Sequence, residues 1–203
     1  MGWVDSDYAA DVDTRRSMTG FVLSMNNGPI AWRSKRQSCV TLSSAEAEFV
    51  AASICGTEIV YLRLLLRDLG LEQSGPTVLY EDNAACIKMS ENPVNAERSR
   101  HIDTRDYWLR EQVRWGHVKL LKCAGTQNVA DALTKSLPGP SFLKHREYLE
   151  GSRVPFEAFY VHAGQMQPTG ESLRWRLFQF RRAAHPVFHA QVASMCALRA
   201  TGG

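Results

Sequence analysis

The order of strand-like and helix-like patterns in residues 1–140 constrains the fold of this chain more than any other feature. Three strand patterns come first, and the N-N-G at 26–28 between the second and third is typical of a β-hairpin turn. Helix and strand patterns then alternate. The predicted strands are 2–9, 19–25, 29–36, 77–81 and 117–123, and the predicted helices are 43–69, 82–90, 102–115 and 128–137. This order predicts an α/β fold, a mixed five-stranded sheet with flanking helices.

A breaker cluster, P-G-P at 138–140, coincides with a change in composition. Residues 141–203 contain eight Lys or Arg and four acids and so carry +4, within a chain total of +3. Residues 1–140, with 16 basic and 17 acidic side chains, carry −1. We therefore predict two parts, a globular domain over 1–138 and a basic C-terminal extension over 139–203 that is partly ordered or irregular.

The extension matches no motif of recognised function. One stretch, 173–184, is basic and amphipathic, and such a stretch could contact nucleic acid or a membrane surface. The alternative, which we favour, is read-through from a decayed element.

The five cysteines are scattered and form no C-x-x-C pair, so neither a zinc site of the finger type nor a disulfide framework is expected. Thiols of this kind are typical of the cytoplasm or the nucleus. No uncharged apolar run approaches the roughly 18 residues of a membrane span, since Arg63 and Arg67 interrupt the most apolar stretch. An acid as early as Asp5 argues against a signal peptide. We therefore expect a cytoplasmic or nuclear protein with no membrane partner.

Four acids stand at predicted strand ends or helix starts and are candidate metal ligands. They are Asp5, Glu48, Asp82 and Asp131. Because the ends of neighbouring strands converge in a mixed sheet, acids far apart in sequence can meet there. Carboxylates without Cys or His partners favour Mg²⁺ or Mn²⁺. Two such ions about 4 Å apart can hold the attacking and leaving oxygens of a phosphodiester.

Three of these acids also have a purely structural interpretation, which spacing alone leaves open. Asp82 could cap a helix that begins at Asn83. Asp131 could be the acid at the third helical position after an Asn128 cap, where the helix dipole favours it. Asp5 could face solvent on its strand.

Glu46 and Glu48 are close in sequence but differ in their expected roles. Ser43 and Glu46 fit a capping box, in which the Ser43 hydroxyl caps the helix and Glu46 reaches back to Ser43. Glu48 instead falls in helical register with apolar residues such as Ala52 and Ile59. An acid on a core-facing stripe is costly unless it is paired or bound to metal. We therefore choose Glu48 as the site candidate.

A series of short motifs also runs in order along the chain. The motifs are W-V-D-S-D-Y-A at 3–9, R-R-S-M-T-G-F at 15–21, A-W-R-S-K-R-Q at 31–37, L-S-S-A-E-A-E-F-V-A at 42–51, Y-E-D-N at 80–83, E-N-P at 91–93, R-S-R-H-I-D at 98–103, R-E-Q-V at 110–113 and A-D-A-L-T-K at 130–135. Taken together and at this spacing, they resemble the ribonuclease H domain of Copia-type LTR retrotransposon Pol polyproteins.

This resemblance implies a ribonuclease H-like fold and endonucleolytic hydrolysis of the RNA strand of RNA–DNA hybrids, an activity of reverse transcription. The family's acidic quartet falls on the four acids chosen above. The resemblance implies two Mg²⁺ ions, with Mn²⁺ as an alternative. Asp5 would bridge the ions, Glu48 and Asp82 would complete one site, and Asp131 would complete the other. Cleavage would leave 5′-phosphate and 3′-hydroxyl ends.

Substrate contacts are predicted at two kinds of position. A hybrid is selected by its minor-groove shape and the 2′-hydroxyls of one strand, and Ser6 and Asn83 flank the acids at suitable places. Basic residues for phosphate contact form two further groups. They are Lys35 and Arg36 on a strand and Arg98, Arg100 and His101 before a helix. The alternative for the strand group is a solvated charged edge that protects the sheet.

In the family this domain is fused to a reverse transcriptase and an integrase, neither of which we expect within these 203 residues. We expect a monomer. Two alternatives to the ribonuclease stay open. The first is a catalytically silent retroelement remnant that keeps the fold and at most binds nucleic acid. The second is a related nuclease or integrase of the same superfamily, disfavoured by S-S-A-E-A-E and A-D-A-L-T-K.

Overall fold

The computed structural model describes residues 1–26, 28–91 and 103–151, with the backbone alone for 103–107. The strands are β1 (Gly2–Asp7), β2 (Met18–Met25), β3 (Gly28–Arg36), β4 (Thr77–Glu81) and β5 (Val118–Lys122). The helices are α1 (Ser44–Asp68), α2 (Ala84–Glu91), α3 (Asp103–Arg114) and α4 (Gly139–Leu149). Two short 3-10 segments, Gly125–Gln127 and Val129–Leu133, lie between β5 and α4.

The five strands form one mixed sheet in the order β3-β2-β1-β4-β5. The pairs β1–β2 and β2–β3 are antiparallel, whereas β1–β4 and β4–β5 are parallel. The predicted mixed five-stranded sheet with flanking helices is therefore confirmed. Its central strand is β1, so an acid on β1 lies next to the ends of both the antiparallel and the parallel half.

Helix α1 covers one face of this sheet together with α2 and α3. Its buried side chains include an apolar stripe at intervals of three and four residues, at Phe49, Ala52, Cys55 and Ile59. Near its start the helix is buried on all sides, since every residue from 47 to 53 is buried. The stripe packs on side chains of four strands, namely Val4, Phe21, Leu23, Leu79 and Leu120.

The opposite face is covered by the Val129–Leu133 segment and by α4. The cluster there comprises Trp3, Val22, Val129, Ala130, Leu133, Tyr148 and Leu149. The Trp3 ring stacks on the Tyr80 ring, with 5.4 Å between the ring centroids, and packs edge-on against the Tyr148 ring, with 4.9 Å between the centroids. The Tyr148 hydroxyl donates to Ser24 Oγ at 2.6 Å, so this face also holds buried polar contacts. The predicted boundary after residue 138 stays a prediction, while α4, directly beyond it, contributes to this cluster.

The predicted helix at 128–137 is not an α-helix. Its first part is the 3-10 segment Val129–Leu133, and the following residues precede α4 without forming a further helix. Such segments are short because their hydrogen bonds are tighter and poorer than those of an α-helix. Here the segment lies so close to β2 that the backbone oxygen of Ala130 would be 3.0 Å from a Cβ at Gly20.

Among the described residues, one helix, α1, is long and apolar enough to cross a membrane, judged by length and composition alone. A buried core helix has the same length and composition. In this structure α1 packs its apolar stripe on the sheet.

Candidate active site

Three carboxylates meet at one end of the sheet, where β1 and β4 finish. Asp5, Glu48 and Asp82 each offer one oxygen, and these three oxygens all lie within 4.8 Å of one another. Asp5 and Glu48 are buried, and Asp82 is half-buried. Like charges this close disfavour the ionised state unless a proton or a cation compensates for them. The group therefore has the electrostatics of a cation site.

The pairing of β1 with β4 brings Asp5 and Asp82 together. Trp3 and Tyr80 are partners in this parallel pair, and each acid follows its partner residue by two positions. Asp5 is only 1% exposed, so the interpretation that it faces solvent is wrong. Its place on the central strand fixes it between the two halves of the sheet.

Asn83, not Asp82, caps helix α2. The Asn83 side-chain oxygen accepts hydrogen bonds from the backbone N–H groups of Ala85 at 2.9 Å and Cys86 at 3.2 Å. This is the geometry of a helix N-cap. The interpretation that Asp82 is the cap is therefore wrong, and the Asp82 carboxylate is not used to begin the helix.

Glu46 and Glu48 have the different surroundings that their positions predict. Ser43 Oγ accepts from the N–H of Glu46 at 3.2 Å, while a Glu46 carboxylate oxygen accepts from the N–H of Leu42 at 2.8 Å. Glu46 thus stabilises the start of α1, although it reaches Leu42 and not Ser43 as we predicted. Glu48 is buried beside Asp5 and Asp82, and no described residue forms a hydrogen bond with its Oε2.

Asp131 lies beside Asp5 but is outside the group of three mutually close carboxylates. Lys135 links the two acids, since its Nζ is 3.1 Å from Asp131 Oδ2 and 3.7 Å from Asp5 Oδ1. The Thr134 hydroxyl donates to the other oxygen of Asp5. Asp131 does stand third after the Asn128 cap, as its structural interpretation requires, but its carboxylate pairs with Lys135.

Two features hold the 128–135 segment, which carries Asp131, against the sheet. The Asn128 amide donates to the backbone oxygen of Val4 at 2.8 Å, and its side-chain oxygen accepts from Ala130 N–H at 3.2 Å. Gly20, the register partner of Asp5, provides the space. A Cβ there would lie 2.6 Å from Thr134 Cγ2. The sequence pattern alone does not indicate that Gly20 and Val4 hold this segment in place.

Gln37 joins three elements behind the carboxylates. Its Nε2 donates to Thr19 Oγ1 and to the backbone oxygen of Ala47, both at 3.0 Å, and lies 3.4 Å from Ser6 Oγ. These partners belong to β2, to the start of α1 and to β1. The sequence analysis did not select Gln37, because no periodic pattern marks a buried amide that follows a strand.

Burial and mutual repulsion raise the pKa of the clustered acids. Burial, then the charges of Glu81 and Asp5, raises the pKa of Glu48 to about 11. Burial, then the charge of Asp5, raises the pKa of Asp131 to about 7 and that of Asp82 above its ordinary value. Without a cation, Glu48 is therefore a neutral acid at pH 7.

Glu81 is a fifth acid that the sequence analysis missed. It is fully buried, and its Oε1 accepts from the N–H of Asn83 at 2.9 Å. Its Oε2 has no hydrogen-bond partner within the described part of the chain. Burial raises its pKa to about 8. Its position next to Asp82, at the end of a half-buried strand, is the sequence feature that could have drawn attention to it.

The two residues proposed to contact 2′-hydroxyls have protein partners. Ser6 is buried and lies beside the Gln37 amide, while the Asn83 oxygen caps α2. Ser6 is therefore part of the packing behind the site in this structure. Asn83 is half-buried, and its side-chain amide group has no role in the cap.

Lys35 and Arg36 lie on opposite faces of β3, because consecutive strand residues alternate. Both side chains are exposed, and that of Arg36 forms an ion pair with Asp11. The structure thus does not bring these two cations to one face. The predicted contacts at Arg98, Arg100 and His101 lie outside the described residues.

Comparison with known proteins gives several retrovirus-related Pol polyproteins among the sequence relatives. The chain is 42% identical over 141 residues to the retrovirus-related Pol polyprotein from transposon TNT 1-94 of Nicotiana tabacum, a match that covers 70% of this chain and 10% of the relative. It is 32% identical over 151 residues to the Pol polyproteins from transposons RE2 and RE1 of Arabidopsis thaliana, covering 74% of this chain and 10% of each relative. The chain is homologous to retrotransposon Pol polyproteins.

This Pol homology concerns a small part of a large protein, since the chain spans about a tenth of the length of these relatives. No protein-family model matches the chain. A solved ribonuclease H1 from compost, LC11-RNase H1, resembles it with a TM-score of 0.48 and 14% identity, over 66% of this chain and 90% of that one. A likeness of this degree says nothing about activity.

The residues at the carboxylate cluster fit a divalent cation. Its donors are oxygens without Cys or His ligands, which suits Mg²⁺ or Mn²⁺. Three buried carboxylate oxygens, Glu48 Oε2, Glu81 Oε2 and Asp131 Oδ1, have no hydrogen-bond partner among the residues that the structure describes. Buried polar atoms without a partner are rare, and an ion is one explanation for them. This agreement concerns the type of ion, not its number.

Proposed function

We propose that this chain is a divalent-cation-dependent ribonuclease that hydrolyses the RNA strand of RNA–DNA hybrids, as the ribonuclease H module of a Copia-type Pol protein. The observation that carries the proposal is the convergence of Asp5, Glu48 and Asp82 within 4.8 Å. The Pol homology supports it, because a Pol polyprotein is a setting in which such a module belongs.

The four acids have distinct places in the proposed reaction. Asp5, Glu48 and Asp82 would hold one Mg²⁺ or Mn²⁺, and Asp5 with Asp131 would hold a second. Bound ions of this kind activate water and neutralise the charge of a phosphodiester. Asp5, on the central strand, is the acid common to both positions.

Other residues of the chain orient these acids. Thr134 donates to Asp5, and Asn128 fastens the segment that carries Asp131 to β1. Gln37 holds the start of α1, with Glu48, against β1 and β2. Such contacts matter because a metal site tolerates little displacement of its ligands.

The proposed substrate is an RNA–DNA hybrid, with which a monomeric chain would interact through Asn83 and Lys35. We further propose a cytoplasmic or nuclear location, in keeping with the pattern of cysteines.

The test uses a labelled RNA–DNA hybrid in Mg²⁺ or Mn²⁺ with the purified chain. We expect cleavage of the RNA strand by the parent and its loss in Asp82→Asn, while Asp68→Asn, an exposed change at the far end of α1, keeps it. Glu48→Gln is expected to abolish cleavage and Glu46→Gln to preserve it. No cleavage by the parent, or equal cleavage by Asp82→Asn, would refute the enzyme. Binding of the hybrid without cleavage would favour the silent remnant.

A further inference from the structure

Lys135 stands among carboxylates in a way that the proposed reaction does not use. Its ammonium group contacts Asp131 at 3.1 Å and Asp5 at 3.7 Å, so it lies between the two acids assigned to one ion. The contact with Asp131 is also an i,i+4 pair within one segment, which holds the lysine in register with its own acid. A cation therefore belongs to the fold at this point.

The charges around this ammonium explain why a cation is needed there. Five acids lie at this end of the sheet: Asp5, Glu48, Glu81, Asp82 and Asp131. Buried carboxylates that lack a compensating charge are strongly destabilising. Lys135 supplies one positive charge, which lies beside two of these acids, Asp5 and Asp131.

The Lys135 side chain is also placed so that it can move away from the two carboxylates. Its side chain is 38% exposed, whereas those of Asp5 and Asp131 are 2% and 11% exposed. A lysine ammonium is a compact charge on a flexible stem and does not lock into a carboxylate as a bidentate arginine does. The two carboxylates are thus buried, whereas the ammonium group lies at the edge of the site, within reach of solvent.

We propose that Lys135 is an exchangeable internal counter-cation, which holds Asp5 and Asp131 together until a divalent ion displaces its ammonium from between them. This inference rests on the proposed function only in taking these acids as ion ligands. Binding of the ion at this position is then an exchange of cations. The protein is stabilised before binding, at the expense of some affinity for the ion.

The test measures Mn²⁺ binding by isothermal titration calorimetry, without nucleic acid, on the parent, Lys135→Met and the matched exposed control Lys119→Met. We expect Lys135→Met to bind Mn²⁺ about tenfold more tightly than the parent, because a positive charge within 4–6 Å of a ligand site shifts its equilibria by at least about tenfold. We expect Lys119→Met to bind as the parent does. In a chelator, Lys135→Met should melt at a lower temperature than the parent, and saturating Mn²⁺ should reduce that difference.

A second measurement needs no variant and so avoids a failure to fold. Amine acylation of the parent, followed by mass spectrometry, should show faster modification of Lys135 when Mn²⁺ is present, with Lys119 as the internal reference. Release from the carboxylates exposes the amine to the reagent.

The outcomes separate this inference from the proposed enzyme. Unchanged or weaker Mn²⁺ binding by Lys135→Met, with no Mn²⁺-dependent change in acylation, overturns the exchange even if the hybrid is cleaved. Absence of Mn²⁺ binding by every protein also overturns it. Tighter binding by Lys135→Met with no cleavage by the parent supports the exchange and refutes the enzyme.

Discussion

One face of the sheet is covered by the 25-residue helix α1 together with α2 and α3, whereas the other is covered by a five-residue 3-10 segment and the 11-residue α4. On the first face, stability comes from a continuous apolar stripe. On the second, it comes from a smaller apolar cluster and individual contacts, such as Asn128 to Val4 and Tyr148 to Ser24. The comparison shows two ways to cover the face of a sheet: with a helix that presents a periodic apolar stripe, and with a short segment held by individual hydrogen bonds.

The acidic cluster lies where these two coverings meet. Glu48 comes from α1, while Asp131 and Lys135 come from the segment on the other face. Asp5 belongs to the strand between them. Changes to the α1 face should therefore mainly lower the stability of the fold. Changes to the opposite face, which carries residues 128–135, should mainly disturb the site.

The largest expected effect is on the α1 face, from Phe49→Ala. Phe49 is fully buried in the stripe, so its truncation should lower the free energy of unfolding by about 3–5 kcal/mol. Urea unfolding measures this. Tyr61→Ala, an exposed change on the same helix, should cost no more than about 0.5 kcal/mol. A loss below about 1 kcal/mol in Phe49→Ala would show that the stripe is not the main source of stability.

A smaller loss of stability, but a larger effect on the site, is expected from Gly20→Ala. The new Cβ would meet Thr134 Cγ2 at 2.6 Å and push the 128–135 segment off the sheet. Overpacking of this kind costs roughly 1–3 kcal/mol. Hybrid cleavage and Mn²⁺ affinity should fall even under conditions where the variant is fully folded.

The control for this change is Gly75→Ala, because nothing lies within 4 Å of a Cβ at Gly75. It should leave both stability and Mn²⁺ affinity near those of the parent. If Gly20→Ala keeps normal Mn²⁺ affinity, then the packing of residues 128–135 on the sheet does not position Asp131. The two faces would then not differ in their effect on the site.

The smallest expected effect comes from charge where the faces meet. The pKa of Asp131 is raised to about 7 and that of Glu81 to about 8 by burial. The folded protein therefore holds these protons more tightly than the unfolded chain. The resulting stability is fully present below about pH 4 and is lost as pH rises to about 8.

In a chelator, the free energy of unfolding should thus be at least about 1 kcal/mol lower at pH 8 than at pH 5, since one pKa unit corresponds to about 1.4 kcal/mol. Urea unfolding at both values measures this, and Glu81→Gln should reduce the difference. A rise in stability over the same interval would show that cations of the protein already compensate for these acids.

The sequence predicts the helix on the α1 face well, but it predicts the segment that covers the opposite face poorly. The predicted helix 43–69 is found as Ser44–Asp68, because a stripe of apolar residues at three- and four-residue spacing has one stable solution on a sheet. Residues 128–137 lack such a stripe, and there the predicted helix is wrong. Their conformation depends on Gly20 and Val4, which lie more than 100 residues away in sequence.

Part of the candidate site can likewise be predicted from the sequence, and part of it cannot. Strand ends and an acid in an apolar stripe indicate Asp5, Glu48 and Asp82 from sequence, and the structure brings them together. The place of Lys135 follows from an i,i+4 spacing to Asp131 that the sequence also contains. The burial of Ser6 and the ion pair between Arg36 and Asp11 depend on tertiary neighbours that no local pattern specifies.

The hydrogen bond from Asn128 to Val4 spans 124 positions of the chain, and that from Thr134 to Asp5 spans 129. Contacts of such separation carry a high entropic cost of loop closure and form late during folding. A nascent chain can assemble the hairpin and the α1 face before residues 128–135 arrive. Completion of the acidic cluster is therefore coupled to closure of the whole domain, so that a partly folded chain cannot present all four acids together.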